Sequence, residues 1–383
     1  MEMMGFLILA VTIIGIILFM RTYLASSYGK SFETLTERQE IEGFRAGVNS
    51  ILQTTEEKSE KTILELLGIA SYQGTSDLDF GPIIGEVNVL DELEWRMNNI
   101  YGKGKWYVNI PYPDIIPRYQ VVIIIDTSGS LCDDVQDMKE KLPSIIDELR
   151  ADGYNVAATI FMLPGGQECC SKYGVSNLKC ENLFETKKYL HCIDMVKKEC
   201  DFGPNNNEDW GNGLACVIEK GPYEGWYNFT AKIGIVLSDE LPMGSELKGG
   251  PENQNSLQNG IDASEGFMKV FPFKALTCGN ACIKNGGVDY NIFTQICCDY
   301  DQELSDYMQQ IANATSGQIY QLSSSNQVSE KIKDIFNVHK FDIKPYLEAG
   351  TQPPINKNIN SVVIPVPVSF IGEYTNIYIN TWS

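Results

Sequence analysis

Val121-Val122-Ile123-Ile124-Ile125-Asp126-Thr127-Ser128-Gly129-Ser130 decides the fold. Its first five residues are all β-branched and apolar and leave no polar face. That is the pattern of a strand buried on both sides, as in a parallel sheet covered by helices. The run stops at an acid, and Asp-x-Ser-x-Ser then puts three oxygen side chains within five residues, with Gly129 permitting a tight turn. Such a donor set suits a hard cation such as Mg²⁺. The competing structural reading is that Asp126 caps the next helix and the serines finish the turn.

Outward from this stretch, apolar strands alternate with helical segments. Strands are expected over 155–162, 233–237, 273–276 and 318–322, and helices near 134–149, 209–219, 256–269, 302–314 and 327–338. Repeated β–α alternation predicts a mainly parallel α/β sheet of Rossmann-like type, with its site at the carboxyl ends of the strands. The strand over 233–237 also ends in acids, Ser238-Asp239-Glu240. Two strands delivering carboxylates to one end of one sheet is what a divalent-cation site requires.

Residues 119–340 resemble a von Willebrand factor type A domain, whose metal-ion-dependent adhesion site begins with the Asp-Thr-Ser-Gly-Ser found at 126–130. The closing stretch Ile311-Ala312-Asn313-Ala314-Thr315-Ser316-Gly317-Gln318-Ile319-Tyr320 fits the family's last helix and strand. The resemblance implies coordination by Ser128 and Ser130 with Asp126 assisting, an acid from a second loop, and Asp239. For the second loop it implies Glu208, with Asp209 as the neighbouring possibility. An acid there is similar to the integrin-β-like branch, which Trp226 and Pro242 also fit, whereas the Glu of that branch falls on Gly211. The implied cofactor is Mg²⁺ or another divalent cation such as Mn²⁺ or Ca²⁺, and the implied chemistry is binding of a protein ligand that offers a carboxylate.

Composition narrows the alternatives. Thirty Lys and Arg against fifty Asp and Glu give a net charge of −20, so a nucleic-acid backbone would be repelled. With only two histidines, His191 and His339, a His-rich metalloenzyme or a His-driven relay is not expected. No nucleophile–base pair and no phosphate cradle is readable, so an enzyme is not expected. Gly211-Asn212-Gly213 lacks the rest of any dinucleotide fingerprint and reads as helix-start chemistry. His191 reads as a surface residue of an insertion.

The cysteines fall into two groups: Cys169, Cys170, Cys180, Cys192, Cys200 and Cys216, then Cys278, Cys282, Cys297 and Cys298, with Cys132 left over. Their spacings match no standard zinc knuckle, and even groups with vicinal pairs favour disulfides, hence an oxidising, extracytoplasmic location. The sequons at Asn228 and Asn313 agree weakly with that location.

Residues 5–20, GFLILAVTIIGIILFM, carry no charge. With the amphipathic continuation through Phe32, Leu35, Ile41, Phe44, Val48, Ile51 and Leu52 they predict one helix over about 3–53, roughly 75 Å long. The plain reading is a single-pass anchor with a stalk. Glu2 before the apolar run and Arg21 and Lys30 after it run against the charge rule for an anchor with its bulk outside. The segment resembles the N-terminal helix of type IV pilin-like proteins, archaeal ones especially, which lose a short basic leader and bundle these helices into a filament. It departs from the bacterial pattern, since the fifth position is Gly5 rather than Glu. The resemblance implies a cleaved leader before Met1.

Thr54-Thr55-Glu56-Glu57 reads as a capping box opening a helix through Leu66-Leu67. Extended runs are expected over 84–90, 105–110, 362–368 and 375–380, with Pro365 and Pro367 marking an edge strand. Neither flank has enough strands for a sheet, so the two are expected to pair as one β-rich module. The expected organisation is a pilin-like helix and stalk over 1–53, an accessory segment over 54–117, the type A domain over 118–342 with Cys-rich insertions at about 165–205 and 278–300, and C-terminal strands over 343–383. Two functions compete. One is a subunit of an extracellular filament, joined to copies of itself through the N-terminal helix. The other is a membrane-anchored adhesion or assembly factor that does not polymerise. Gly29, Gly43 and Gly47 would permit close helix packing and mildly favour the filament.

Overall fold

The computed structural model describes residues 39, 41–113, 116–126, 131–164, 188–195, 209–242, 250–275, 292–322, 327–341, 343, 346–368 and 373–382. The chain divides into two compact units, Met1–Pro113 with Tyr346–Ser383, and Asp114–Pro345. The expected apolar helix of residues 5–20 lies outside the described residues. Among those described, no helix is long and apolar enough to cross a membrane.

Helix α1 covers residues 41–52 and buries Phe44, Val48, Ile51 and Leu52 on one face. It ends there, and the capping box lies eight residues later than expected. Helix α2, Ile63–Gln73, starts at Thr62, whose side chain accepts from the Glu65 amide while the Glu65 carboxylate accepts from the Thr62 amide. Both positions carry Thr-x-x-Glu, but only the second is followed by an apolar face to bury, Ile63, Leu66, Leu67 and Ala70. The 54–57 segment instead forms a turn in which the buried Glu56 carboxylate accepts the amides of Lys58 (3.0 Å) and Ser59 (2.7 Å).

The run expected as a strand over 84–90 is split three ways. Strands β1 (Asp77–Asp79) and β2 (Glu86–Asn88) form a small antiparallel hairpin. Helix α3, Val89–Tyr101, then begins at Asn88, whose side chain caps the Asp91 amide. Val89, Leu93 and Met97 recur every four residues and form the buried stripe of α3. Strand β3 is Trp106–Pro111.

In the second unit β4 is Tyr119–Ile125, α4 Cys132–Ala151, β5 Val156–Met162 and β6 Leu190–Asp194. Then come α5 Trp210–Lys220, β7 Ala231–Ser238, α6 Pro251–Ser264, β8 Lys269–Lys274, α7 Ile292–Ala314, β9 Tyr320–Gln321 and α8 Val328–Val338. The strand order is β6-β5-β4-β7-β8-β9, and every described pair is parallel. Alternation along β4 sends Val121, Ile123 and Ile125 toward α4 and α8, and Val122 and Ile124 toward α5, α6 and α7. Strand β6 falls inside the segment read as a Cys-rich insertion. His191 therefore sits in the sheet, half-buried, with its ring stacked on Tyr223 at 3.9 Å, and is not a surface residue.

The first unit is completed by β10 (Tyr346–Gly350), β11 (Ile359–Val368) and β12 (Glu373–Trp382). They join β3 in an antiparallel sheet of order β10-β3-β12-β11. β11 is an edge strand, as its two prolines require, and β3 from one flank pairs with β10 and β12 from the other. Gly47 of α1 admits the Tyr101 hydroxyl, which a Cβ there would meet at 2.6 Å. Its small size serves a contact inside the unit, while Gly43 meets nothing and Gly29 lies outside the described residues.

Candidate metal and binding site

The central strands end level with one another. Strand β4 pairs β7 with Ile125 opposite Leu237, and the Asp126 amide donates to the Leu237 carbonyl at 3.0 Å. In-register parallel pairing therefore brings Asp126 beside Ser238 and Asp239 at one edge of the sheet. The Ser238 hydroxyl donates to Asp126 Oδ2 at 2.8 Å. Asp126 and Ser238 are fully buried and Asp239 nearly so. Ser128, Ser130 and Glu208 lie outside the described residues.

Asp209 stands at the start of α5 and is fully buried. Its Oδ1 accepts from the Asn212 amide (3.1 Å) and the Ser256 hydroxyl (2.5 Å), and its Oδ2 accepts from Asn212 Nδ2 (2.7 Å). This is N-cap chemistry, favoured by the positive end of the helix dipole. It also fixes α5 against α6, because a Cβ on Gly211 would overlap Ser256. Gly211 is thus a close helix contact.

The loop after β7 is held from several sides. The Glu240 amide donates to Ser238 Oγ (2.9 Å), and Trp210 Nε1 donates to the Glu240 carbonyl (2.9 Å). The Tyr300 hydroxyl donates to Glu240 Oε2 (2.6 Å) and accepts the Leu241 amide (3.1 Å). Burial, and secondarily the Glu240 carboxylate, pushes the Tyr300 phenol well above its ordinary range, so it stays a donor. Beside it on α7, Asp301 (2.6 Å) and Ser305 (2.7 Å) accept from Lys274, a nearly inaccessible lysine at the end of β8. Sequence reasoning missed Ser238, Ser256, Lys274 and Tyr300 as contributors. Ser238 alone carried a signal, being adjacent to Asp239 at a strand end.

Among the described residues no group of three or more His, Cys, Asp or Glu side chains is close enough to hold a metal. Among the described residues, the oxygen donors at this end of the central strands are Asp126, Ser238 and Asp239. Oxygen donors of this kind suit a hard divalent cation such as Mg²⁺ or Mn²⁺.

Of the cysteine candidates, Cys192 on β6 and Cys216 on α5 are disulfide-bonded. Cys297 and Cys298 fall within α7. Cys169, Cys170, Cys180, Cys200, Cys278 and Cys282 lie outside the described residues. Asn228 is exposed in a turn, and Asn313 is exposed in the last turn of α7 and accepts from Gln309 at 2.8 Å. The threonines of both sequons are buried, Thr230 donating to Gln120 Oε1 (2.8 Å) and Thr315 to the Ile311 carbonyl (2.8 Å).

No family model matches the chain, and no curated protein matches it. Among solved structures, it is similar to an aerotolerance-related membrane protein from Bacteroides fragilis NCTC 9343 carrying multiple mutations to serines. The identity is 16%, over 57% of this chain and 98% of that one, with a TM-score of 0.30. A likeness that loose carries no argument about fold or function. The α/β architecture with its six-stranded parallel sheet rests on the strand pairing above.

Proposed function

We propose that the second unit is a von Willebrand factor type A-like module that binds a partner protein through a divalent cation, without turnover. The observation that carries this reading is the register of β4 against β7, which sets Asp126 beside Ser238 and Asp239 at the carboxyl edge of a parallel sheet. That is where open α/β sheets place their ligands. Asp126, Ser128, Ser130 and Asp239 are the proposed holders, with Glu208 as the second-loop acid, since Asp209 already caps α5. When bound, Mg²⁺, Mn²⁺ or Ca²⁺ supplies a Lewis-acidic position for a carboxylate of the partner. The chain's own part is to hold the loops in place before the partner arrives. Ser238 orients the Asp126 carboxylate, and Trp210 and Tyr300 fix the loop that carries Asp239.

We read the whole chain as a subunit of an extracellular filament, with residues 5–20 packing among copies and the type A-like unit displayed outward. The run of sixteen uncharged residues followed by an amphipathic stretch supports this, and so do the disulfide-bonded Cys192 and Cys216. Electron microscopy of surface material sheared from cells tests it. Fibres labelled by an antibody to this chain are expected. Chain found only in membrane vesicles would favour the anchored, non-polymerising alternative. For the binding role, surface attachment lost in chelator and restored by Mg²⁺ is expected, and attachment indifferent to chelator would contradict it.

A further inference from the structure

The first unit carries an exposed apolar tip and, elsewhere on its surface, an open groove. The turn joining β1 to β2, Gly81-Pro82-Ile83-Ile84-Gly85, holds two isoleucines in the open, Ile83 being 97% exposed. This tip is rigid. Gly81 and Gly85 take positive φ values of 85° and 81°, the Gly85 amide donates to the Gly81 carbonyl at 2.8 Å, and the Phe80 amide donates to the Gly85 carbonyl at 3.1 Å. Elsewhere on the same unit a groove of about 960 Å³ opens between α1, α3 and the β11–β12 pair. Its apolar lining is Ile41, Phe44, Ile100, Ile359 and Trp382, of which Ile41, Ile100 and Ile359 are 50%, 58% and 43% exposed. Lys105 is the charged residue in the lining.

We propose that the Ile83–Ile84 tip of one copy seats in this groove of the next copy. The nearly complete exposure of Ile83 shows that it does not fill the groove of its own chain. Charge also argues for a second copy in a molecule whose net charge is −20. The hairpin that presents the tip is acidic, with Asp77, Asp79 and Glu86 all exposed. The groove side is locally basic: Lys105 in the lining, Lys103 in the same turn, and Lys357 next to the lining residue Asn358. On α1, Glu42 and Arg45 offset one another. Tip and groove are different surfaces, so the contact is heterologous, and it propagates as an open chain of copies where the rotation between them does not close a ring. One inserted tip buries far less than the ~1,200–2,000 Å² of a stable interface, so it acts only where another contact already holds copies at high local concentration. The proposal therefore rests on the filament reading and adds a tip-to-groove contact between first units to that of the N-terminal helices.

The test uses full-length chain in assembled surface material, with photoreactive benzoylphenylalanine at position 84 and Ile83 left in place. Isotope-labelled and unlabelled copies are mixed so that cross-links between chains are distinguishable. Cross-links from position 84 into residues 41–47, 358–360 or 381–382 of another copy are expected, and Ile359→Glu or Ile83→Glu should lower their yield about tenfold. Both sites are exposed, so neither change threatens the fold. Cross-links into residues 5–20, into a different protein, or into no second copy would overturn the contact. Groove cross-links without fibres would leave the contact standing and sink the filament reading, while fibres without groove cross-links would do the reverse.

Discussion

Asp126 is fully buried, and the Ser238 hydroxyl bound to it at 2.8 Å orients its carboxylate. Ser238→Ala removes that donor while leaving the carboxylate in place. We expect divalent-metal affinity to fall by roughly tenfold, the effect of losing about one charge-assisted hydrogen bond, with the far-ultraviolet spectrum unchanged. Equilibrium dialysis with Mn²⁺ checks this. A second prediction concerns His339. Burial, and secondarily the charge of Lys269, depress its pKa, and its ring lies against Phe271 at 4.7 Å. A depressed folded pKa means that the unfolded chain binds the proton more readily. His339 therefore contributes stability above the ordinary imidazole range near ~6.5, and this is lost as pH falls through the folded value. Thermal unfolding at pH 7.5 and 5.5 should show a smaller acid-induced drop in His339→Gln than in the parent, and equal drops would contradict the assignment.

At the scale of elements, legibility followed pattern strength. The β-branched run at 121–125 has no amphipathic alternative, so β4 and its carboxyl-end acid were readable. So was β7, which ends in Asp239 after an equally apolar stretch. Strand β6 was not, because Leu190-His191-Cys192-Ile193-Asp194 alternates weakly and sits among cysteines that suggested an insertion. Thr54 and Thr62 offered the same capping signal, and only the apolar face after Thr62 decided between them. Thr62→Ala should therefore cost about 1 kcal/mol, whereas Thr54→Ala should leave α2 in place, as denaturant unfolding will show. Gly211 lies in the first turn of α5, as its helix-start reading expects, and it has a packing role besides. It is small because α6 leaves no room for a Cβ beside Ser256, and Gly260 approaches the Gly211 carbonyl in turn. Gly211→Ala is expected to destabilise the second unit by about 1–3 kcal/mol, measured as a lower denaturation midpoint. Tyr300 and Lys274 left no sequence signal, since their partners lie 60 and 27 residues away.

The whole molecule has two units with separate apolar cores, and only one of them carries the proposed cation site. Metal binding should therefore raise only one unfolding transition. At a metal concentration of ~100 Kd the gain is about 2.7 kcal/mol, which scanning calorimetry with and without chelator resolves. The charge of −20 is spread over both units and keeps the surface acidic, while the groove of the first unit is a local basic exception. The central claim is that strand-end carboxylates of one parallel sheet hold one divalent cation. Calorimetric titration of the full-length chain with Mg²⁺ tests it most directly, alongside Asp126→Asn and Asp239→Asn. One bound cation per parent chain, and none in either variant with its folded spectrum intact, is the predicted result. No binding by the parent, or undiminished binding by both variants, would contradict it.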